Sequence, residues 1–106
     1  MNQPLLVITT LPDQASAESL ADRLVRDRLA ACVNIGAAVT SVYLWEGRQQ
    51  HDSEVMLTIK TTGQRYPALQ DAIVAAHPYE LPEVIAVPIT AGHPAYLAWI
   101  DTCTTD

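Results

Sequence analysis

Apolar positions along this chain change period several times, and each change marks an element. Leu5-Leu6-Val7-Ile8-Thr9-Thr10 is an unbroken apolar and β-branched run that ends at Pro12, which predicts a strand buried on both faces. Asp13 then stands where a helix cap belongs. Ala17, Leu20, Ala21, Leu24 and Val25 follow at helical spacing, with Glu18, Asp22, Arg23 and Arg26 on the opposite side. From Ala31 the period drops to two: Val39, Ser41, Tyr43 and Trp45 share one face of an extended segment, and Thr40, Val42 and Leu44 the other. Gly36 predicts a bend or bulge in it. After Glu46-Gly47-Arg48 and a polar turn that holds His51, Val55, Leu57 and Ile59 alternate with Glu54, Met56, Thr58 and Lys60 as the returning strand of a hairpin. A second helix is expected from about Gln64, with Tyr66, Leu69, Ile73 and Ala76 inward, Pro67 in its first turn and Pro78 ending it. Val84 to Ile89 is a further apolar run between Pro82 and Gly92, and Ala95 to Cys103 carries Tyr96, Leu97, Trp99 and Ile100 as a short last helix, with Tyr96 and Trp99 on its packing face.

This order is β-α-β-β-α-β plus a C-terminal helix. It predicts an α+β, ferredoxin-like sandwich with both long helices on one face of an antiparallel sheet. One mismatch carries information. Extended at about 3.3 Å per residue, Ala31 to Trp45 would reach roughly 50 Å, far beyond an ordinary strand. Part of the long β2-β3 hairpin must therefore overhang its own sheet. Exposed Tyr43, Leu44 and Trp45 on such a ribbon would be an aggregation edge, so pairing with other copies of the chain is expected.

Composition narrows the class. With 106 residues and no linker, repeat or low-complexity tract, the chain is expected to form one domain over 1–106, large enough for a modest core without metal or disulfide staples. Net charge −6 and pI near 4.8, with only six scattered basic residues, argue against nucleic acid and anionic lipid as partners. Leu5 to Ile8 is too short for a signal-peptide core or a membrane span and follows no cluster of positive charge, so a cytoplasmic protein is expected. Cys32 and Cys103 allow at most one disulfide and are read as free thiols.

No nucleotide loop, Gly-x-Ser-x-Gly elbow, Cys-x-x-Cys pair or His-Glu-x-x-His helix occurs, so the chain is read as a non-enzyme. An enzyme would need a nucleophile and a base brought together between copies, for instance Cys32 and His77. His51, His77 and His93 are too dispersed for a local metal cage. His77-Pro78-Tyr79-Glu80 is the most distinctive polar stretch. Pro78 forces His77 out of helical geometry at a helix end that favours cations, either a protonated imidazole or a metal with Glu80 or Glu83 beside it. The alternative is a plain helix stop with His77 satisfied by a carbonyl or water. Cys32 reads first as a small buried apolar side chain, with a thiolate facing a cavity, where Cu(I) would be its natural ligand, as the functional alternative. Lys60 and Glu54 share one strand face, either solvated or lining a common groove, and Tyr43 and Trp45 read as interface anchors.

Taken together, several motifs resemble the CutA divalent-cation-tolerance family: Leu29-Ala30-Ala31-Cys32-Val33-Asn34, Ser41-Val42-Tyr43-Leu44-Trp45-Glu46-Gly47, Glu54 with Lys60-Thr61-Thr62, His77-Pro78-Tyr79-Glu80-Leu81-Pro82-Glu83, and Tyr96-Leu97-Ala98-Trp99-Ile100. The resemblance implies a homotrimer, similar in build to PII-type signalling proteins, whose long hairpins pair between subunits. It also implies a cytoplasmic part in tolerance of copper or other divalent metals, with a PII-like small-ligand sensor as the alternative. Inter-subunit pockets implied by the resemblance are lined by Cys32, Tyr43, Trp45, Glu54, Lys60, His77, Tyr79 and Glu83, with His77, Cys32 and Glu83 expected as the metal donors and a small anionic ligand as the other occupant. Copper-binding members are implied to use a cysteine near the end of the first strand and two adjacent histidines, and here those positions read Thr9, Ala76 and His77.

Overall fold

The structure is a computed structural model that describes residues 2–105. Its elements are β1 (Pro4–Leu11), α1 (Gln14–Arg26), β2 (Cys32–Trp45), β3 (Arg48–Thr62), α2 (Tyr66–Ala76), β4 (Val84–Pro88) and α3 (Pro94–Cys103). The strands form one antiparallel sheet in the order β2-β3-β1-β4. This is the expected ferredoxin-like α+β arrangement.

Alternation assigns each residue to a face. Val7 lies opposite Ile59, Leu11 opposite Val55, and Val33 opposite Ile59. With Leu57 they form the sheet side of the core, closed by Ala17, Leu20 and Leu24 of α1 and Leu69 and Ile73 of α2. The Asp13 side chain caps α1 by accepting from the Ser16 N–H at 2.7 Å. Two inward assignments fail. Val25 is exposed because it follows Leu24 one residue around the helix, off the buried stripe. Ala76, in the last turn of α2, is also exposed and lines a shallow groove with Leu11, Ala15 and Ser19 instead of entering the core. Pro78 acts as expected, leaving His77 extended at ψ 136° after the last helical residue.

The second face of the sheet is largely open. It presents Cys32, Asn34, Val39, Tyr43 and Trp45 from β2, Glu54, Met56, Thr58 and Lys60 from β3, Leu6 and Ile8 from β1, and Ile85 and Val87 from β4. α3 packs on it against β1 and β3, and the loop after α2 covers Thr10 and Glu54. Burial of β1 is therefore uneven: on the open face Leu6 and Ile8 are half-buried and only Thr10 is buried, while Val7, Thr9 and Leu11 are sealed beneath the helices. The same openness explains α3. Ile100 is fully buried, whereas Tyr96 and Trp99, expected on the packing face, lie against each other at 5.4 Å and stay exposed.

The hairpin overhangs as its length requires. β1 pairs with β3 only over 55–62, so Arg48 to Glu54 and their partners Val39 to Trp45 continue as a two-stranded ribbon. At about 3.3 Å per residue the ribbon projects roughly 20 Å, within a molecule 44 Å long. Its turn is tighter than the sequence suggests. Glu46 (φ 51°) and Gly47 (φ 78°) both have positive φ and alone join the strands, so Arg48 to Ser53, His51 included, belong to the strand and not to a polar turn. A register shift between Ile35 and Ala38 places the bulge at Gly36, where a Cβ would stand 3.2 Å from the Met56 carbonyl oxygen.

Two outcomes follow. The Thr9 hydroxyl is fully buried and has no hydrogen-bond partner. Thr9→Val is expected to raise stability by about 1–3 kcal/mol in urea titration, and a lowered midpoint would refute an orphaned hydroxyl. The hydrogen bond from Ser16 holds the Asp13 carboxyl below its ordinary value of 3.8, so its contribution is present above that pH and is lost as pH falls further. The melting-temperature gap between wild type and Asp13→Ala should therefore be constant at neutral pH and close in acid.

Candidate functional site

The open face gathers polar side chains at two places. Near the root of the ribbon, Glu54 is 7% exposed, and its Oε2 accepts a hydrogen bond from the Tyr79 hydroxyl at 2.9 Å. Two residues along the same face, Asp52 accepts from the Tyr43 hydroxyl. Two carboxylates thus each hold a phenol. Burial, and then the bond to Glu54, push the Tyr79 phenol well above its ordinary range. For Tyr43 the bond to Asp52 is the main upward cause. Both hydroxyls remain protonated donors at neutral pH.

His77 positions this group but is itself committed. It is almost fully buried, and its Nε2 lies 2.6 Å from the Thr10 carbonyl oxygen while Nδ1 accepts from the Tyr79 N–H at 3.2 Å. The carbonyl requires the proton on Nε2, and the amide requires a bare Nδ1, so the network assigns the neutral tautomer. The ring also lies against the Tyr79 ring at 4.6 Å. Pro78 explains the arrangement, because it turns the chain out of α2 at His77 and brings Tyr79 back over the sheet.

The second place lies under α3. Cys32 and Lys60 are cross-strand partners, and the Lys60 ammonium donates to Asn34 Oδ1 and stands 4.0 Å from the Cys32 sulfur. The Tyr96 phenol reaches the same thiol, and its pKa is raised, chiefly by partial loss of water where the exposed ring meets the sheet and then by the sulfur.

The structure therefore brings together Cys32 with Lys60, and Tyr43 with Glu54 and Tyr79. It leaves Trp45 at the ribbon tip and Glu83 exposed before β4. His77 and Cys32 do not meet. The Thr10–Met56 and Cys32–Lys60 pairs are four residues apart along β3, about 13 Å, which a nucleophile and its base cannot span within one chain. Among the described residues no three His, Cys, Asp or Glu side chains converge as metal donors. His77, Cys32 and Glu83 accordingly do not fit a metal within a single chain, and the Thr9–Ala76–His77 positions pair an orphaned hydroxyl and a methyl with a spent imidazole. Asp52, Asn34 and Tyr96 are site neighbours that sequence reasoning missed. Two-residue spacing from Glu54 and from Cys32 was the available signal for the first two.

A ferredoxin-like sandwich with an overhanging hairpin and a polar, aromatic open face defines the class. The family profile described as "CutA1 divalent ion tolerance protein" matches residues 5–103. The chain belongs to this family. It is 43% identical over 95 residues to the divalent-cation tolerance protein CutA of Thermus thermophilus, covering 90% of this chain and 92% of that one. It is 44% identical over 95 residues to the mouse protein CutA, covering 90% of this chain but only 54% of the mouse protein. The chain thus spans about half the length of that relative. The crystal structure of CutA1 from the psychrotrophic bacterium Shewanella sp. SIB1 superposes with a TM-score of 0.95 at 42% identity, over 99% of this chain and 98% of that one. The family is named for tolerance of divalent ions and not for a reaction.

Removing the Tyr79 hydroxyl strands a buried carboxylate. Tyr79→Phe is expected to cost about 1–3 kcal/mol in denaturant unfolding, and adding Glu54→Gln should recover part of that loss. Equal stability of Tyr79→Phe and wild type would show that Glu54 does not depend on the phenol.

Proposed function

We propose that the chain acts in divalent-cation tolerance as a cytoplasmic, non-enzymatic homotrimer whose clefts between copies take copper or another divalent metal ion. The observation that supports this reading is the uncovered face. Val39, Tyr43, Trp45, Ile85 and Val87 stand exposed on one side of the sheet, and the ribbon adds Val42 and Leu44, at 57% and 73% exposure, on its other side. Apolar surface of this extent is normally an interface. β3 also leaves its edge unpaired from Arg48 to Glu54, beyond the end of β1, and a strand or ribbon of another copy would complete it. Because His77, Cys32 and Glu83 do not converge in one chain, a metal centre built from them needs donors from more than one copy. Glu83 is exposed, Cys32 would have to give up its contact with Lys60, and His77 would first have to release Thr10 or Tyr79.

A small-ligand sensor or scaffold of PII-like build is the second reading. It is favoured by Lys60, a cation set on the open face among a thiol and an amide.

Light scattering coupled to size exclusion should give a mass about three times 11.5 kDa. Trp45→Glu with Leu44→Glu should lower it to that of one chain, and titration with Cu and Zn should show uptake by the wild type that this variant and Cys32→Ser lose. A wild type that runs as a single chain would reject the assembly. Equal uptake by assembled and single-chain forms would reject clefts between copies as the metal site.

A further inference from the structure

Lys60 occupies an unusual position. The row that crosses the open face through it reads Cys32, Lys60, Leu6, Val87, and the next reads Asn34, Thr58, Ile8, Ile85. Lys60 is the one cation in either row. Glu54, the nearest acid on the same strand face, lies six residues away, about 20 Å along β3, and is already bonded to Tyr79. Among the described residues no carboxylate comes within ion-pairing distance of the Lys60 nitrogen. Its acceptors are one amide oxygen and one sulfur, neither of them a carboxylate, which leaves an ammonium proton uncommitted. The stem is half-buried beside Leu6 and beneath α3.

A protein with twice as many acids as bases thus places this ammonium apart from the carboxylates of the described residues, on the face that assembly would cover. Covering it without a carboxylate counter-charge would be unfavourable, because an ammonium then loses water and gains no ion pair in return. The neighbouring groups favour one kind of anion. The free ammonium proton and the Asn34 amide N–H groups are adjacent donors, and Asn34 Oδ1 already faces the ammonium, which orients its NH2 away from that bond. One full charge beside a neutral fork of donors matches a planar, singly charged group with two oxygens.

From this arrangement we propose that Lys60 and Asn34 form a carboxylate receptor on the open face, filled when copies assemble. The inference rests on the cleft reading above and names the chemistry of its occupant. The carboxylate belongs either to a diffusible organic acid or to an acidic side chain of another copy, and the experiment separates these sources.

Thermal melting and light scattering are followed for the wild type, Lys60→Met, Lys60→Arg and Asn34→Asp, with succinate as probe and chloride at matched ionic strength. For a diffusible acid, succinate raises the wild-type melting temperature and chloride does not. Lys60→Met then weakens the succinate response about tenfold or more, and Lys60→Arg keeps most of it. Asn34→Asp, which plants a carboxylate beside the ammonium, keeps the fold and abolishes the response. For an acidic side chain of another copy, succinate has no effect, Lys60→Met shifts the mass toward one chain, and Lys60→Arg restores it. An assembled wild type that ignores succinate and stays assembled as Lys60→Met overturns the receptor. A wild type of single-chain mass rejects the cleft reading instead, and its succinate response then decides the receptor alone.

Discussion

Everything in this molecule depends on β3 having more length than its own sheet can use. Over 55–62 the strand is hydrogen-bonded on both sides, to β1 and β2, and carries the residues that seal the core. Over 48–54 it keeps only β2. One strand therefore does two jobs, ordering a buried sheet at one end and displaying a bare ribbon at the other. Where the two regimes meet, at Glu54 and Val55, the chain also sets its buried acid.

That junction organises the polar chemistry. The loop after α2 returns over the sheet because Pro78 forbids another helical turn, and it brings Tyr79 to Glu54 while His77 is tied to the Thr10 carbonyl. A histidine that looks like a ligand in one dimension serves as a brace in three. Lys60 lies toward the opposite end of the same face, under α3, so the two polar clusters differ in kind: acids with phenols at the root of the ribbon, a lysine with a thiol near the last helix.

Much of this was legible beforehand, because it follows from periodicity. The seven elements, the bulge at Gly36, the Asp13 cap and the overhang all come from spacing and from residues with strong local preferences. The ends of apolar stripes were less legible. Val25 and Ala76 fit a helical period, but each stands at a helix end, off the line that meets the sheet. The turn at Glu46 and Gly47 is shorter than polarity alone suggests, since polar residues continue through Ser53 on a ribbon that water reaches from both sides. For the site, alternation showed that Lys60 and Glu54 share a face. It could not show that His77 spends both nitrogens on backbone, because that depends on where a loop lands in space.

The two-residue turn at the ribbon tip has a consequence for how such an arm can vary. Strand partners are locked across Glu46 and Gly47, and inward and outward positions alternate strictly. Adding one residue to a single strand would rotate every later side chain to the wrong surface or create a second bulge. Lengthening or shortening keeps every side chain on its surface only in matched increments, two residues on each strand for every step, so the reach of the arm is quantised.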